Sequence, residues 1–114
     1  AVFALFSVVL GAFASHLLKT LLTETSLHSF ETGARYMMYH GLALLLVSVM
    51  QIEDKKWIFR FFFWGTILFS FSIFFLSLQS VMKVDLSWIG PITPIGGTLL
   101  IFGWFFLLIK SIKA

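Results

Sequence analysis

Long runs of apolar residues, separated by short polar segments, dominate the pattern along this chain. Four runs stand out, at residues 1–18, 34–50, 57–78 and 95–112. Each is close to the ~20 residues that a helix needs to cross a ~30 Å hydrocarbon core, and none alternates over ~10 residues as barrel strands do. The pattern predicts an all-α fold: one domain, residues 1–114, forming an integral membrane four-helix bundle.

The polar segments between the runs differ in character. Residues 19–33 carry an apolar residue at every third or fourth position, which suits a short interfacial helix or an extension of the second span. Residues 51–56, QIEDKK, form a tight charged turn. Residues 80–94 end in a proline-containing corner, where Pro94 can occupy the first turn of the fourth span at no hydrogen-bond cost. Because the first run opens without a polar segment, we expect its helix to lack its first turns.

Composition supports a membrane protein. The chain is 60% hydrophobic and 11% charged, whereas a soluble domain carries about 25% charged residues. A chain of this size also has too little interior to bury so many Phe and Leu side chains. The net charge of +3 comes from scattered basic residues, so no nucleic-acid partner is expected. Cysteine is absent, which excludes disulfides and thiolate chemistry.

The basic residues also predict an orientation. The 51–60 segment and the C-terminus together hold five Lys or Arg residues, against three on the other side. Cytoplasmic segments keep the excess of positive charge. We therefore expect both termini in the cytoplasm and the 19–33 segment on the outer side.

Polar residues cluster at the start of the second run, in GARYMMYHGLALLL (residues 33–46). Glu31, Arg35 and Tyr39 follow one another at four-residue spacing on a helix, with Tyr36 and His40 as a second pair beside them. We expect Glu31 to pair with Arg35.

The end of the first run brings His16 to the same side of the membrane. If the first two helices are antiparallel neighbours, His16 and His40 should lie at comparable depth and face each other. The first run also repeats Ser7, Gly11 and Ser15 at four-residue spacing, a surface that lets two helices approach closely.

Two interpretations of this cluster remain open. In the first, tyrosines anchor the interface, Arg35 extends to water and the histidines hydrogen-bond within the fold. In the second, the residues form a ligand, proton or metal site, since ionisable groups at membrane depth are costly. Two histidines are too few for a secure zinc site, so the metal stays unknown. Axial haem ligation by His16 and His40 is the weaker cofactor hypothesis, and overall no cofactor is expected.

Hydroxyl and glycine residues on the later runs fit helix packing. Thr66, Ser70 and Ser77 share one face of the third run, and Gly96 and Gly103 lie seven residues apart in the fourth. No charged or amide residue lies deeper in the spans, which disfavours an ion path. Nucleophile-elbow, Walker and dinucleotide-binding motifs are absent, so the chain is not expected to be an enzyme.

Three stretches together carry a family resemblance: LGAFASHLLK (10–19), GARYMMYHGLALLL (33–46) and GPITPIGGTLLIFGW (90–104). They resemble the DUF423 family, also called UPF0382, of small bacterial membrane proteins whose eukaryotic relatives include transmembrane protein 256. The family pattern maps onto Gly11, Ala12, Phe13, His16, Tyr36, Tyr39, His40, Thr93, Pro94, Gly96, Gly97, Gly103 and Trp104, with Pro91 in the same corner. Met37 departs from it, since glutamine is usual after the first tyrosine.

The resemblance implies a location and an architecture but no reaction, because the family has no known function. It implies the bacterial inner membrane, with the three stretches gathered on one side. Our first hypothesis is an accessory, interaction or structural subunit, with the lipid bilayer and other membrane proteins or a second copy as partners. The second is a ligand-binding protein that uses the polar cluster, and the third is an oligomeric small-solute transporter.

Overall fold

The protein forms four long helices in a computed structural model, which describes residues 1–113. We number them α1, Val2–Leu21; α2, Glu24–Val49; α3, Lys56–Met82; and α4, Ile92–Lys113. A short 3₁₀ turn, Ser87–Ile89, precedes α4, and no strand occurs within the described range. The all-α prediction is confirmed.

Three helical segments have the length and composition of membrane spans. They are α1 with 20 residues, α3 with 27, and Ser87–Ile112, which contains most of α4, with 26. Helix α2 is 26 residues long but begins at Glu24 rather than near residue 34. Residues 24–33 of the polar segment are therefore an extension of the second helix, one of the two predicted alternatives, whereas residues 19–21 belong to the end of α1. The polar residues of this extension keep α2 out of the apolar set.

Local sequence explains where α2 and α4 begin. The Thr23 side chain accepts a hydrogen bond from the Ser26 backbone N–H at 3.2 Å, which caps the first turn of α2. Helix α4 begins at Ile92, so Pro94 lies in its first turn as predicted.

Lysine side chains close the turn between α2 and α3. The Lys55 ammonium donates to the carbonyls of Ser48 and Met50, each at 3.0 Å, and Lys110 on α4 donates to the Glu53 carbonyl at 3.1 Å. The last carbonyls of a helix lack intrahelical partners and attract cations. Lys55 thus closes the turn onto the end of α2, and Lys110 holds the turn against α4. We call this end of the molecule the turn side and the opposite end the far side.

Two of the helices contain a π-helical turn, Ala14–Leu18 in α1 and Ile67–Phe71 in α3. A π turn adds a residue to the helical repeat and rotates the side chains that follow it. A 3.6-residue periodicity therefore gives wrong directions for side chains within and after these turns. His16 lies within the π turn of α1.

The helices pack mainly against their neighbours in the chain, α1 on α2, α2 on α3 and α3 on α4. Two groups of buried apolar residues fill the space between them. The far-side group is Phe3, Ala14, Leu18, Leu22, Phe30, Ala34, Met37 and Phe74. The turn-side group is Ala43, Val47, Ile58, Phe62, Leu100 and Leu107. Met37 is fully buried in the first group, so an apolar side chain suits its position.

Gly96 marks the closest approach of α4 to α3. A Cβ at this position would lie 2.8 Å from the Phe69 Cα and even nearer to its backbone nitrogen. These are backbone atoms of the π turn in α3, which cannot move aside as a flexible side chain can. Only glycine fits at position 96, which explains the first residue of the Gly96–Gly97 pair.

We predict that Gly96→Ala destabilises the protein by about 3 kcal/mol, because the added methyl forces the two backbones apart. Gly97→Ala is the matched control: its Cβ would meet only the Phe69 ring, at 3.5 Å, an ordinary contact. Its effect should stay within about 1 kcal/mol, since alanine also favours the helix. Unfolding in mixed detergent micelles measures both variants, and equal destabilisation of the two would contradict the close approach.

Candidate functional site

The imidazole of His40 is buried on α2, with both of its ring nitrogens hydrogen-bonded. Its Nδ1 lies 2.7 Å from the Tyr36 carbonyl oxygen, and its Nε2 lies 2.9 Å from the indole Nε1 of Trp104 on α4. A carbonyl can only accept and an indole N–H can only donate. His40 is therefore the neutral tautomer with its proton on Nδ1. Neither nitrogen can bind a metal unless one of these bonds breaks.

Aromatic rings enclose this hydrogen bond. Phe62 on α3 meets the His40 ring edge-on at 5.6 Å between centroids and the Trp104 ring at 4.9 Å. A Cβ at Gly103 would lie 2.7 Å from the Phe62 ring, so glycine lets this part of α4 come close. We call His40, Phe62 and Trp104 the His40–Trp104 junction. It joins α2, α3 and α4 at a single point.

Two further carbonyls of α2 accept bonds from the neighbouring helices. Ser70 on α3 donates to the Gly33 carbonyl, and Ser7 on α1 donates to the Ala34 carbonyl, each at 2.8 Å. Both serines are buried. The beginning of the GARYMMYH stretch is thus held through its backbone, from both sides.

The proline-containing corner makes one side-chain bond to α3. The hydroxyls of Thr93 and Ser72 lie 2.6 Å apart, while Pro91 is exposed. Among the described residues, Ser77 Oγ is the buried side-chain polar atom without a hydrogen-bond partner. Of the predicted hydroxyl face of α3 (Thr66, Ser70 and Ser77), Ser70 forms a hydrogen bond to another helix. The bond between Ser72 and Thr93 was not predicted.

His16 does not face His40, and this expectation was wrong. The Ser7–Ala34 bond fixes the register of the antiparallel pair α1 and α2. From that level His16 lies toward the start of α2, whereas His40 lies toward its end. At 1.5 Å per residue the two are about 20 Å apart along the helices. His16 is exposed and His40 faces α4, so the two imidazoles cannot share an iron or another metal.

Glu31, Arg35 and Tyr39 lie together as predicted, but they face α1 rather than His40. Together with α1 they form an open groove, which we call the polar groove, lined by Ser7, Gly11, Ser15, Glu31, Ala34, Arg35, Met38 and Tyr39. The guanidinium of Arg35 donates to Thr32 Oγ1 at 3.1 Å instead of pairing with Glu31. The predicted ion pair is not formed.

The small residues of α1 build the groove instead of a tight helix contact. A Cβ at Gly11 would meet nothing within 4 Å. Ser15 is exposed and its hydroxyl donates to the Gly11 carbonyl of its own helix at 3.1 Å. The prediction that α1 and a neighbouring helix approach closely is confirmed at Ser7 and is wrong at Gly11 and Ser15.

The predicted cluster therefore divides into two parts, for a geometric reason. At 100° per residue, His40 lies about 180° around α2 from Glu31. Tyr36 lies between these directions, with its ring 5.0 Å from that of Phe69 and its carbonyl bonded to His40. One part of the cluster is enclosed between helices, and the other is open.

These features define a class: a small, all-α membrane protein whose interior polar groups bond chiefly to one another. In the described part of the chain, no three His, Asp or Glu side chains are grouped closely enough to hold a metal ion.

The chain belongs to the DUF423 family, described as a protein of unknown function, whose pattern matches residues 10–97. It is 36% identical to a UPF0382 membrane protein of Staphylococcus epidermidis, over 96% of this chain and 88% of the relative. It is 37% identical to one of Haemophilus influenzae (96% and 86%) and 32% identical to YwdK of Bacillus subtilis (99% and 92%). The predicted resemblance is confirmed. No solved structure matches the chain significantly.

We predict that Trp104→Phe destabilises the protein by about 1–3 kcal/mol, because it leaves the buried Nε2 of His40 without a donor. Trp64→Phe, at an indole that is 54% exposed, is the control and should change stability by less than about 0.5 kcal/mol.

The double variant His40→Leu with Trp104→Phe isolates the bond itself. Removing both partners leaves no unpaired polar group, so its destabilisation should be smaller than the sum of the two single effects by about 1 kcal/mol or more. Strictly additive losses in detergent unfolding would show that the two side chains are not coupled.

Proposed function

We propose that this protein is an accessory or structural subunit of a membrane assembly. In this proposal its four helices form one membrane-spanning bundle in the bacterial inner membrane, with both termini in the cytoplasm. The observation that carries the proposal is the His40–Trp104 junction. The most buried ionisable side chain of the family motif holds three helices together, with no nitrogen left for a substrate or metal.

The outward faces of the helices support an interaction role. Along α4, the side chains of Ile101, Phe105 and Leu108 are each more than half exposed. In a bilayer such faces contact lipid chains or the helices of another protein. A 13.0 kDa chain whose described residues are almost wholly helical offers these faces as its principal contact surface.

The alternative of a metal or haem site at the two histidines receives no support from their positions. A single iron needs both imidazoles at one point, and the α1–α2 register separates them.

Photo-crosslinking in intact membranes tests the accessory role. We predict that a benzoylphenylalanine placed at Phe102 or Phe105 captures one defined protein, or a second copy of this chain, because about half of each side chain is exposed. The same probe at Phe62, which is fully buried, is the control and should give no such product.

The crosslinked species should recur along one face of α4 and match the mass of a complex purified in mild detergent. Capture of lipid alone at every exposed position, with a monomeric purified protein, would contradict the accessory role.

A further inference from the structure

The polar groove between α1 and α2 has the features of a binding site. Its volume is about 340 Å³, and it is open along one side. Gly11 contributes no side chain, and a Cβ there would still touch nothing within 4 Å. The groove is therefore space that the helices leave between them, with Glu31 and Arg35 on one wall.

The charges of the groove are not used for packing. Arg35 is exposed and bonds within its own helix to Thr32, although a guanidinium carries five N–H donors. Glu31 is only half-buried, and the helices are held at this level by the bonds of Ser7 and Ser70. An acidic and a basic group thus face the same groove without pairing with each other.

The depth of the groove follows from the length of α2, once α2 is placed across the membrane as proposed above. From Met50, at the charged turn, about 20 residues cross a ~30 Å core. That distance ends near Glu31. Arg35 lies one turn inside this level, within reach of it through its long side chain. The groove therefore opens where lipid headgroups meet the hydrocarbon.

We propose that the polar groove binds a phospholipid whose headgroup is a phosphoethanolamine. Arg35 binds the phosphate, which lies nearer the hydrocarbon, and Glu31 accepts from the ammonium, which lies farther out. The two residues are four positions apart, ~6 Å along the helix axis, the scale of the two-carbon link between phosphate and ammonium. The inward part of the groove, beside Met38 and Tyr39, contacts the glycerol and the start of an acyl chain.

The order of the charges sets the specificity. A phosphocholine has no N–H to donate to Glu31. A phosphoglycerol has no cation at all, so its phosphate would bring a second anion beside the carboxylate. Both should bind more weakly than phosphoethanolamine lipid. This inference uses the membrane placement of α2 but not the accessory role, so the two proposals can fail separately.

Native mass spectrometry of the purified full chain, with phosphatidylethanolamine, phosphatidylcholine or phosphatidylglycerol of identical acyl chains, tests the proposal. We predict a phosphatidylethanolamine adduct that binds about tenfold more tightly than the other two and raises the thermal midpoint. Arg35→Gln should weaken it about tenfold through loss of a charge-assisted bond. Glu31→Gln should chiefly abolish the preference over phosphatidylglycerol.

Matched variants on the turn side control for loss of charge. Arg60→Gln removes a guanidinium that stacks on Trp57, at 4.9 Å from the ring centroid, and Glu53→Gln removes an exposed carboxylate. Neither should change lipid binding. The exchange Glu31→Arg with Arg35→Glu keeps the net charge but inverts the order, and it should lose the phosphatidylethanolamine preference.

Gly11→Leu provides a test that leaves both charges in place. It fills the groove at a position with free space and replaces a helix-disfavouring glycine, so lipid-free stability should not fall while the adduct is lost. Equal binding of the three lipids to the unmodified chain, or equal weakening by Arg35→Gln and Arg60→Gln, would overturn the proposal. So would free phosphoethanolamine binding as tightly as the lipid, since the site would then not recognise a lipid.

Discussion

The hydrogen bond between the Trp104 indole and the His40 imidazole is the constraint on which the packing of α2, α3 and α4 depends. Hydrocarbon offers no alternative partner to a buried imidazole, so the bond must form within the protein. It closes over Phe62, and it requires α4 to approach α3 where Gly103 leaves room for that ring. The position of the Trp104 indole, the tautomer of His40 and the spacing between α3 and α4 therefore depend on one another.

Backbone carbonyls of α2 extend the same principle to its other neighbours. Each helical carbonyl has a second lone pair, and those of Gly33 and Ala34 use it for serines from α3 and α1. These bonds set the register of α2 between the two helices. They involve serine, whose side chain is short, so they form only where backbones lie close together. The glycines of this chain thus allow helix backbones to come close together, and the serines form hydrogen bonds across the short distances that result.

The sequence predicts α1, α3 and α4 to within a few residues, because long apolar runs favour helices of membrane-spanning length, whereas α2 begins ten residues before its apolar run. It also predicts which residues are polar near the start of α2. It does not predict their partners, for identifiable reasons. The nine-residue separation of Glu31 and His40 already places them on opposite faces of α2, but which neighbouring helix each face meets depends on the packing of the helices. The depth of His16 depends on the α1–α2 register, which the bond of Ser7 sets, and on a π turn that no periodicity reveals.

The polar residues of α2 lie on two faces, and the free-energy cost of placing each polar side chain there has a different explanation on each face. The two hydrogen bonds of His40 compensate for the desolvation of its buried imidazole, so the packing of the helices explains why a histidine is present there. Arg35 has no such account, because it is exposed and its bond to Thr32 stays within α2 and holds no second helix. Glu31, one turn away, adds a carboxylate that the packing does not need either. Within the described residues, the fold supplies no charged partner for Glu31 and Arg35 on this face of α2. A ligand with complementary charges would supply one, and the open space at Gly11 lies beside these two residues.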